Sequence, residues 1–282
     1  MTTQPNPEGE KRPLRATVVV VSHNRKPLLE ACLASLEASE GRQDLQIVVV
    51  ENGSRDGAAG LDAQFAQVQW IRLPKNFGLT KAMNLGWRAA DSGLVLFLHD
   101  DTEVEPDCVL RLAETLEAHP EVAAVCPLLV DAEGRPAPQL GTLPPDGEWI
   151  PAAPSGSDPI PVEYARGAAL MTRVGLIKAV RQIDERFGQF GADADLAANF
   201  RRASKKVLLL PGVKVRHRGA DCYTPAECAD FLLARAAYLG KYHGFGAGFA
   251  ARLGAIFGPL VHFRFGEFRN TVAGQKIDGT QM

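Results

Sequence analysis

Apolar residues in the first half of the chain follow two rhythms. Residues 17–21 (Thr-Val-Val-Val-Val) and 47–50 (Ile-Val-Val-Val) are unbroken, mostly β-branched runs, the pattern of strands covered on both faces in a parallel sheet. Between them Leu28, Leu29, Cys32, Leu33 and Leu36 recur at helical spacing behind Pro27, a residue suited to a first helical turn. The alternation continues with a strand over 68–72, a helix over 80–90 and a strand over 94–98. A helix from Pro106 follows, with Val109, Leu110, Ala113 and Leu116 inward, then a strand over 122–126. Strands alternating with helices through short connections predict right-handed βαβ units. The rhythm is lost over 131–163, where eight of the 19 prolines fall, and a structureless segment of this length is usually a functional loop or a mobile one. It returns with a strand over 168–171, helices over 174–181 and 194–203, and a strand over 206–210. From Pro225 the chain reads as helix, with Phe231, Leu232, Ala236 and Leu239 as its apolar stripe.

Length and composition narrow the class. The 282 residues are enough for one large domain or two small ones. At 46% hydrophobic and 23% charged, the chain is neither a disordered nor a collagenous protein. A formal net charge of -2 gives no overall attraction for nucleic acid. The five cysteines, Cys32, Cys108, Cys126, Cys222 and Cys228, form no CxxC pair, so neither a disulfide framework nor a thiolate zinc site is expected. A reduced, cytoplasmic setting fits them. Residues 1–14 read as a flexible lead without an apolar stretch. The most apolar tract, 245–263, is broken by Arg252, Pro259 and several glycines, against a membrane span.

In an open parallel sheet, ligands bind beyond the carboxyl ends of the strands. Three predicted strands run into polar ends: Ser22-His23-Asn24-Arg25, Glu51-Asn52-Gly53-Ser54-Arg55-Asp56-Gly57 and His99-Asp100-Asp101-Thr102. A carboxylate, amides and a glycine turn at one edge suit a nucleotide, although Asn-Gly and Asp-Gly pairs also make ordinary turns. Adjacent Asp100 and Asp101 repel unless a cation lies near. A divalent ion bridged to phosphate oxygens would serve; capping of the helix at Pro106 is the competing role. A further acidic cluster, Gly191-Ala192-Asp193-Ala194-Asp195-Leu196, precedes Arg201 and Arg202. An aspartate there either caps a helix or acts as a general base. His217, shortly after a predicted strand, is either a packed or surface residue or a metal ligand.

Taken in order, these motifs resemble family 2 glycosyltransferases of the GT-A fold, in the style of bacterial rhamnosyltransferase-like members. The matching pieces are residues 18–25, 47–57, Asn76-Phe77-Gly78 with Ala82, Asn84 and Gly86, and 96–102 with Val104-Glu105-Pro106. Residues 166–171, Ile183-Asp184-Glu185-Arg186-Phe187, 191–196 and 213–219 complete the series, which spans residues 15 to 220. The resemblance implies an α/β chain with a Rossmann-like, mostly parallel central sheet flanked by helices. Residues 15–222 would form the catalytic domain and 223–282 a helical tail. It implies inverting transfer of a sugar from a UDP- or dTDP-sugar to an acceptor hydroxyl, in cell-surface polysaccharide or glycolipid synthesis. The acceptor would be a saccharide or lipid-linked, the cofactor Mn²⁺ or Mg²⁺, and a homodimer is a further expectation.

The same resemblance distributes the roles. Donor binding falls to Ser22, Asn24, Arg25, Glu51, Asn52, Asn76, Gly78, Asn84 and Asp100, with Glu51 at the base or ribose. Metal binding falls to Asp101 and His217, and the general base to Asp193, with Asp195 as second candidate. Three positions depart from the family pattern: His99 for the first acid of the triplet, Ala192 for a glutamate and Asn199 for an arginine. Ala192 and Asn199 motivate an alternative, a catalytically silent member that binds a nucleotide sugar or a partner, and retention of Asp193 counts against it. A dinucleotide oxidoreductase is disfavoured because the first strand does not end in GxGxxG.

The tail mixes Arg235, Lys241, Arg252, Arg264 and Arg269 with Phe245, Phe249, Phe257, Phe263, Phe265 and Phe268. This predicts peripheral contact with an anionic membrane, at its inner face for a cytoplasmic protein. Packing on the catalytic domain or a second subunit is the alternative.

Overall fold

The computed structural model describes residues 14–146, 148–154, 156–219 and 224–274. The expected lead, residues 1–14, lies outside the described residues except for Leu14. The first strands are β1 (Ala16–Ser22), β2 (Leu45–Glu51), β3 (Gln69–Arg72), β4 (Leu94–His99), β5 (Thr102–Val104) and β6 (Val122–Val130). Then come β7 (Pro138–Gly141), β8 (Ile150–Pro151), β9 (Ile160–Val162), β10 (Tyr164–Ala165), β11 (Ala169–Arg173) and β12 (Lys206–His217). The main sheet runs β3-β2-β1-β4-β11-β6-β12-β5, with β9 also joined to β12.

The continuous apolar runs follow from burial on both faces. Val18, Val20, Ile47 and Val49 enter one core with Leu29, Leu33 and Leu36 of α1 (Lys26–Glu37). Val19 and Val48 enter the other with Trp87 of α2 (Leu79–Arg88). β1 pairs parallel with both β2 and β4, and the helices after β1 and β3 cover opposite faces. The chain therefore changes faces beside β1, which opens a crevice at the carboxyl ends of β1, β2 and β4.

The remaining helices are α3 (Cys108–Ala118), α4 (Val174–Ala179), α5 (Ala192–Arg202), α6 (Pro225–Tyr242), α7 (Phe245–Val261) and α8 (Phe265–Ala273). Several expectations need correction. Residues 131–163 are not structureless: β7 and β8 lie there and join β10 in a small second sheet of order β10-β7-β8, and β9 joins β12. Buried Gln139 ties it to β6, donating to the Pro127 carbonyl at 2.9 Å and accepting from the Leu129 amide at 2.7 Å. Helix α3 starts at Cys108 with Asp107 at its cap position, and Thr102 lies in β5, so neither Asp101 nor Thr102 caps it. Leu112 takes the inward place expected of Leu110, beside buried Val109, Ala113 and Leu116, and Leu110 is half-buried. The fourth helix of the prediction ends at Ala179, and β12 runs seven residues past Leu210.

Helix α6 is turned from its predicted stripe. It buries Ala229, Asp230, Leu233, Ala234, Ala236 and Tyr238, leaving Phe231, Leu232 and Leu239 half-buried. The physical reason is Asp230, whose carboxylate accepts the backbone N–H of Gln189 at 2.8 Å and of Phe190 at 3.2 Å. At the other end, Lys241 Nζ donates to Asp184 at 2.9 Å and to Asp195 at 2.7 Å, and Tyr242 Oη donates to Asp195 at 2.7 Å. Burial pushes the Asp184 carboxyl up, but hydrogen bonds from Arg186 and Lys241 outweigh it and hold the group well below the usual carboxylate range. Lys241→Met is expected to lower stability by about 3 kcal/mol, because Asp195 stays buried without its ion partner. Urea denaturation checks this. Since the folded Asp184 pKa is depressed, its contribution is present above the unfolded carboxylate range and fades in acid, so the wild-type advantage shrinks as pH falls.

Candidate active site

The crevice is built from strand ends and one long-range pairing. β4 delivers His99, and the turn after it carries Asp100 and Asp101. β5 then pairs antiparallel with β12, setting Thr102 opposite His217. The Arg218 amide donates to the Asp101 carbonyl at 2.9 Å, which fixes the end of β12 against the acidic turn. A histidine 116 positions away in sequence, counted from Asp101 to His217, thus reaches the carboxylate: Nε2 lies 3.4 Å from Asp101 Oδ1. His99 Nδ1 lies 3.9 Å from the same oxygen. One ligand atom from each of His99, Asp101 and His217 falls within 4.8 Å of the others.

Part of the cation that the paired carboxylates require is Arg25. Its Nη1 lies 3.1 Å from Asp101 Oδ2 and 3.6 Å from Asp100 Oδ1. Ser22 Oγ donates to Asp100 Oδ2 at 2.7 Å. Burial pushes the Asp100 carboxyl up to about 6 against these contacts. Asp101 is also buried, yet His217, His99 and Arg25 together hold it well below the usual range. Burial pushes His99 down to about 4, so its imidazole is neutral at pH 7 with a lone pair to offer. Asp101 Oδ1 is buried with no hydrogen-bond partner and faces the two imidazoles. An orphaned anionic oxygen between two nitrogen ligands fits a divalent cation.

Asp193 sits on the first turn of α5. Its Oδ1 accepts from Tyr164 Oη and from the Ala194 amide, each at 2.9 Å, and its Oδ2 accepts from the Gly167 amide at 3.0 Å. The approach to Gly167 is close: a Cβ there would lie 3.2 Å from Asp193 Cβ. Burial raises the Asp193 pKa, and the three donors moderate the rise. Asp193, His99, Asp101, His217 and Arg25 line one cavity of about 330 Å³, with Trp149, Arg166 and Phe190 among its other walls. A smaller cleft of about 120 Å³ adjoins it, lined by His23, Arg25, Asn52, Asn76, Gly78 and Asp100 among others.

The remaining candidates stand outside both spaces. Ser22 is spent on Asp100. Asn24, exposed and at φ +53°, accepts from the Arg55 amide, and Glu51 accepts from the Ser54 amide. These three tie the strand-end loops together through hydrogen bonds. Gly53 is required in the same loop: a Cβ would meet the Lys75 carbonyl carbon at 2.3 Å, and φ is +75°. Asn84 is a correction. Its amide donates to the Ile183 carbonyl and to Glu185, and its oxygen accepts from Trp87 Nε1 and the Ile183 amide. All four hydrogen-bonding positions of the side chain are used within the fold, so none remains for a ligand. Asp195 is a second correction, since Lys241 and Tyr242 occupy it on the far side of α5. Asn199 donates to the Asp195 carbonyl and does not face the cavity.

Sequence reasoning missed Trp149, Tyr164 and Glu227. Trp149 packs on Tyr164 with ring centroids 4.9 Å apart, and the Arg166 guanidinium lies 6.0 Å from the Trp149 centroid. A tryptophan within a proline-rich irregular segment was the available signal. Glu227 lines both spaces and closes a capping box with Thr224, so α6 contributes to the cavity wall. Tyr164→Phe removes a donor that favours ionised Asp193, so the Asp193 pKa must rise further. If turnover requires the ionised form, the acid limb of the pH–rate profile is expected to move to higher pH in this variant.

A family model described as glycosyl transferase family 2 matches residues 17–157. An N-acetylglucosaminyltransferase of Mesorhizobium japonicum is 35% identical over 113 residues, covering 38% of this chain and 26% of that protein. The chain spans roughly a quarter to a third of the length of the curated relatives it matches. The crystal structure of GalNAc-T7 with UDP, GalNAc and Mn²⁺ superposes with a TM-score of 0.69 at 14% identity, covering 94% of this chain and 57% of that one. The crystal structure of S. aureus TarS 1–349 with UDP-GlcNAc gives 0.59 at 14% identity, covering 80% and 66%. These likenesses show a GT-A-like fold, with a mostly parallel sheet flanked by helices and a helical C-terminal region.

Proposed function

Because the chain belongs to glycosyl transferase family 2, we propose that it transfers a sugar from a nucleoside-diphosphate donor to an acceptor hydroxyl with inversion at the anomeric carbon. One observation carries the reading: the His99, Asp101 and His217 cluster and the Asp193 carboxylate line the same cavity. Asp193 takes the proton of the acceptor hydroxyl, whose oxygen attacks the anomeric carbon as the bond to the diphosphate breaks. Tyr164 Oη and the Gly167 amide hold the carboxylate in position for this. Arg25, Asn52, Asn76, Gly78 and Asp100 meet the donor along the smaller cleft. A divalent ion held by His99, Asp101 and His217 would neutralise charge on the departing diphosphate. Two imidazoles and one carboxylate favour Mn²⁺ over the harder Mg²⁺.

Asp193 in the cavity favours transfer over a silent, binding-only chain despite Ala192 and Asn199. The donor proposed first is UDP-GlcNAc, on the strength of the relatives named N-acetylglucosaminyltransferases. A dTDP-rhamnose donor follows from the motif resemblance. Cell-surface polysaccharide or glycolipid synthesis, a cytoplasmic location, a saccharide or lipid-linked acceptor and a homodimer belong to the same proposal. So does a catalytic unit over 15–222 with a tail from 223, although Thr224 and Glu227 line the cavity too. Release of nucleoside diphosphate from a panel of UDP-, dTDP- and GDP-sugars tests the reading. Turnover of one donor, faster with Mn²⁺, is expected; no release from any donor would overturn it.

A further inference from the structure

Helix α7 is amphipathic in an unusual sense, because its outward face is the apolar one. It packs inward through buried Ala255 and Pro259, and it crosses α6 where Gly248 meets Gly240. Outward it shows Phe245, Phe249, Leu253 and Phe257 at successive four-residue steps, continued by Leu260 and Val261. A four-residue repeat lays side chains along one helical face. The other exposed residues between these, Gly246, Ala250 and Gly254, carry no polar group, and Arg252 is the face's single charge. The ridge runs on into the α7–α8 turn with Phe263 and Phe265. Phe245 is 84% exposed and Phe263 79%. Scattered exposed apolar residues need no explanation, but a contiguous ridge of this length does.

The charge beside the ridge selects its occupant. Residues 245–274 contain Arg252, Arg264 and Arg269 and a single acid, Glu267, which is buried and lies 3.3 Å from Arg264. No exposed carboxylate opposes the arginines over this stretch. Among the described residues no helix is long and apolar enough to cross a membrane. An apolar face rimmed by arginines, too short and too interrupted to span, is suited to lie in the headgroup region of an anionic bilayer. We propose that α7 and the α7–α8 turn dock the protein on an anionic lipid surface, with the phenylalanines inserted and Arg252 and Arg269 at the phosphates. This inference rests on the surface alone and is independent of sugar transfer.

Vesicle flotation of the full chain tests it. The protein is expected to float with phosphatidylcholine vesicles that contain phosphatidylglycerol and far less with phosphatidylcholine alone. Partitioning of Phe249→Ser/Phe257→Ser should fall at least about ten-fold, while its thermal midpoint stays near wild type because both side chains are exposed. Arg252→Gln/Arg269→Gln should lose the preference for the anionic vesicles. Absence of flotation, or flotation unchanged by both pairs of substitutions, overturns the proposal. So does a dimer, seen by light scattering, that the phenylalanine variant dissolves without any vesicle binding, since that outcome gives the ridge to a second copy.

Discussion

Asp193→Asn should slow sugar transfer by about 10³-fold, the scale of losing a positioned general base. The amide cannot take the acceptor proton. Its fit is also compromised, because the three donors that converge on the carboxylate, Tyr164 Oη and the Gly167 and Ala194 amides, approach both oxygens. Whichever way the asparagine turns, its NH₂ faces at least one of them, a conflict of about 1–3 kcal/mol. A loss of thermal stability should therefore accompany the loss of rate. Donor affinity should not change, since Asp193 lines the large cavity and not the smaller cleft. Steady-state turnover read beside calorimetric donor binding separates the effects. A variant with wild-type turnover would remove Asp193 from the chemistry.

Asp101→Asn is expected to be comparably severe for a different reason. Its Oδ2 pairs with Arg25 while its Oδ1 is the unpartnered oxygen between the imidazoles. Substitution removes the only carboxylate among the three cluster residues and leaves Arg25 with Asp100 at 3.6 Å as its remaining partner there. Loss of a ligand carboxylate should cut metal-supported turnover at least about 100-fold and should abolish the rise in thermal midpoint on adding Mn²⁺. His217→Ala would share the second effect. If Mn²⁺ stabilises Asp101→Asn as much as wild type, the cluster is not where the ion binds.

What could be read from the chain divides along physical lines. β1, β2 and β4 announce themselves as continuous runs because both faces are buried, and their polar ends mark the crevice in the sequence itself. His217 was harder. Pro211 and Gly212 look like the end of a strand, but β12 crosses them through a register shift between Leu210 and Lys214 and continues to His217. His99, read as a departure from the family pattern, brings an imidazole nitrogen within 4.8 Å of the Asp101 and His217 ligand atoms. Asn84 misled because an asparagine on the buried face of a helix looks the same whether it serves a ligand or a neighbouring loop. Asp193 and Asp195 compete for one role in the sequence, but residues two apart on a helix are turned well apart, and the structure sends them to opposite sides of α5. Trp149 and Tyr164 sit beside or in strands of two to four residues, too short for any periodicity to register.

The apolar ridge of α7 was legible only as composition. Counting phenylalanines and arginines gave the ingredients, whereas the outward direction of the ridge depends on the contact between Gly240 and Gly248 that docks the opposite face.

We propose that one crevice binds a nucleoside diphosphate together with a divalent ion. Isothermal titration of UDP, dTDP and GDP into wild-type protein and Asp101→Asn, each with Mn²⁺ or with EDTA, measures it directly. One nucleotide is expected to bind wild-type protein with Mn²⁺, and EDTA or the substitution is expected to remove most of that affinity. Binding indifferent to both metal and substitution, or no binding of any of the three, would contradict it.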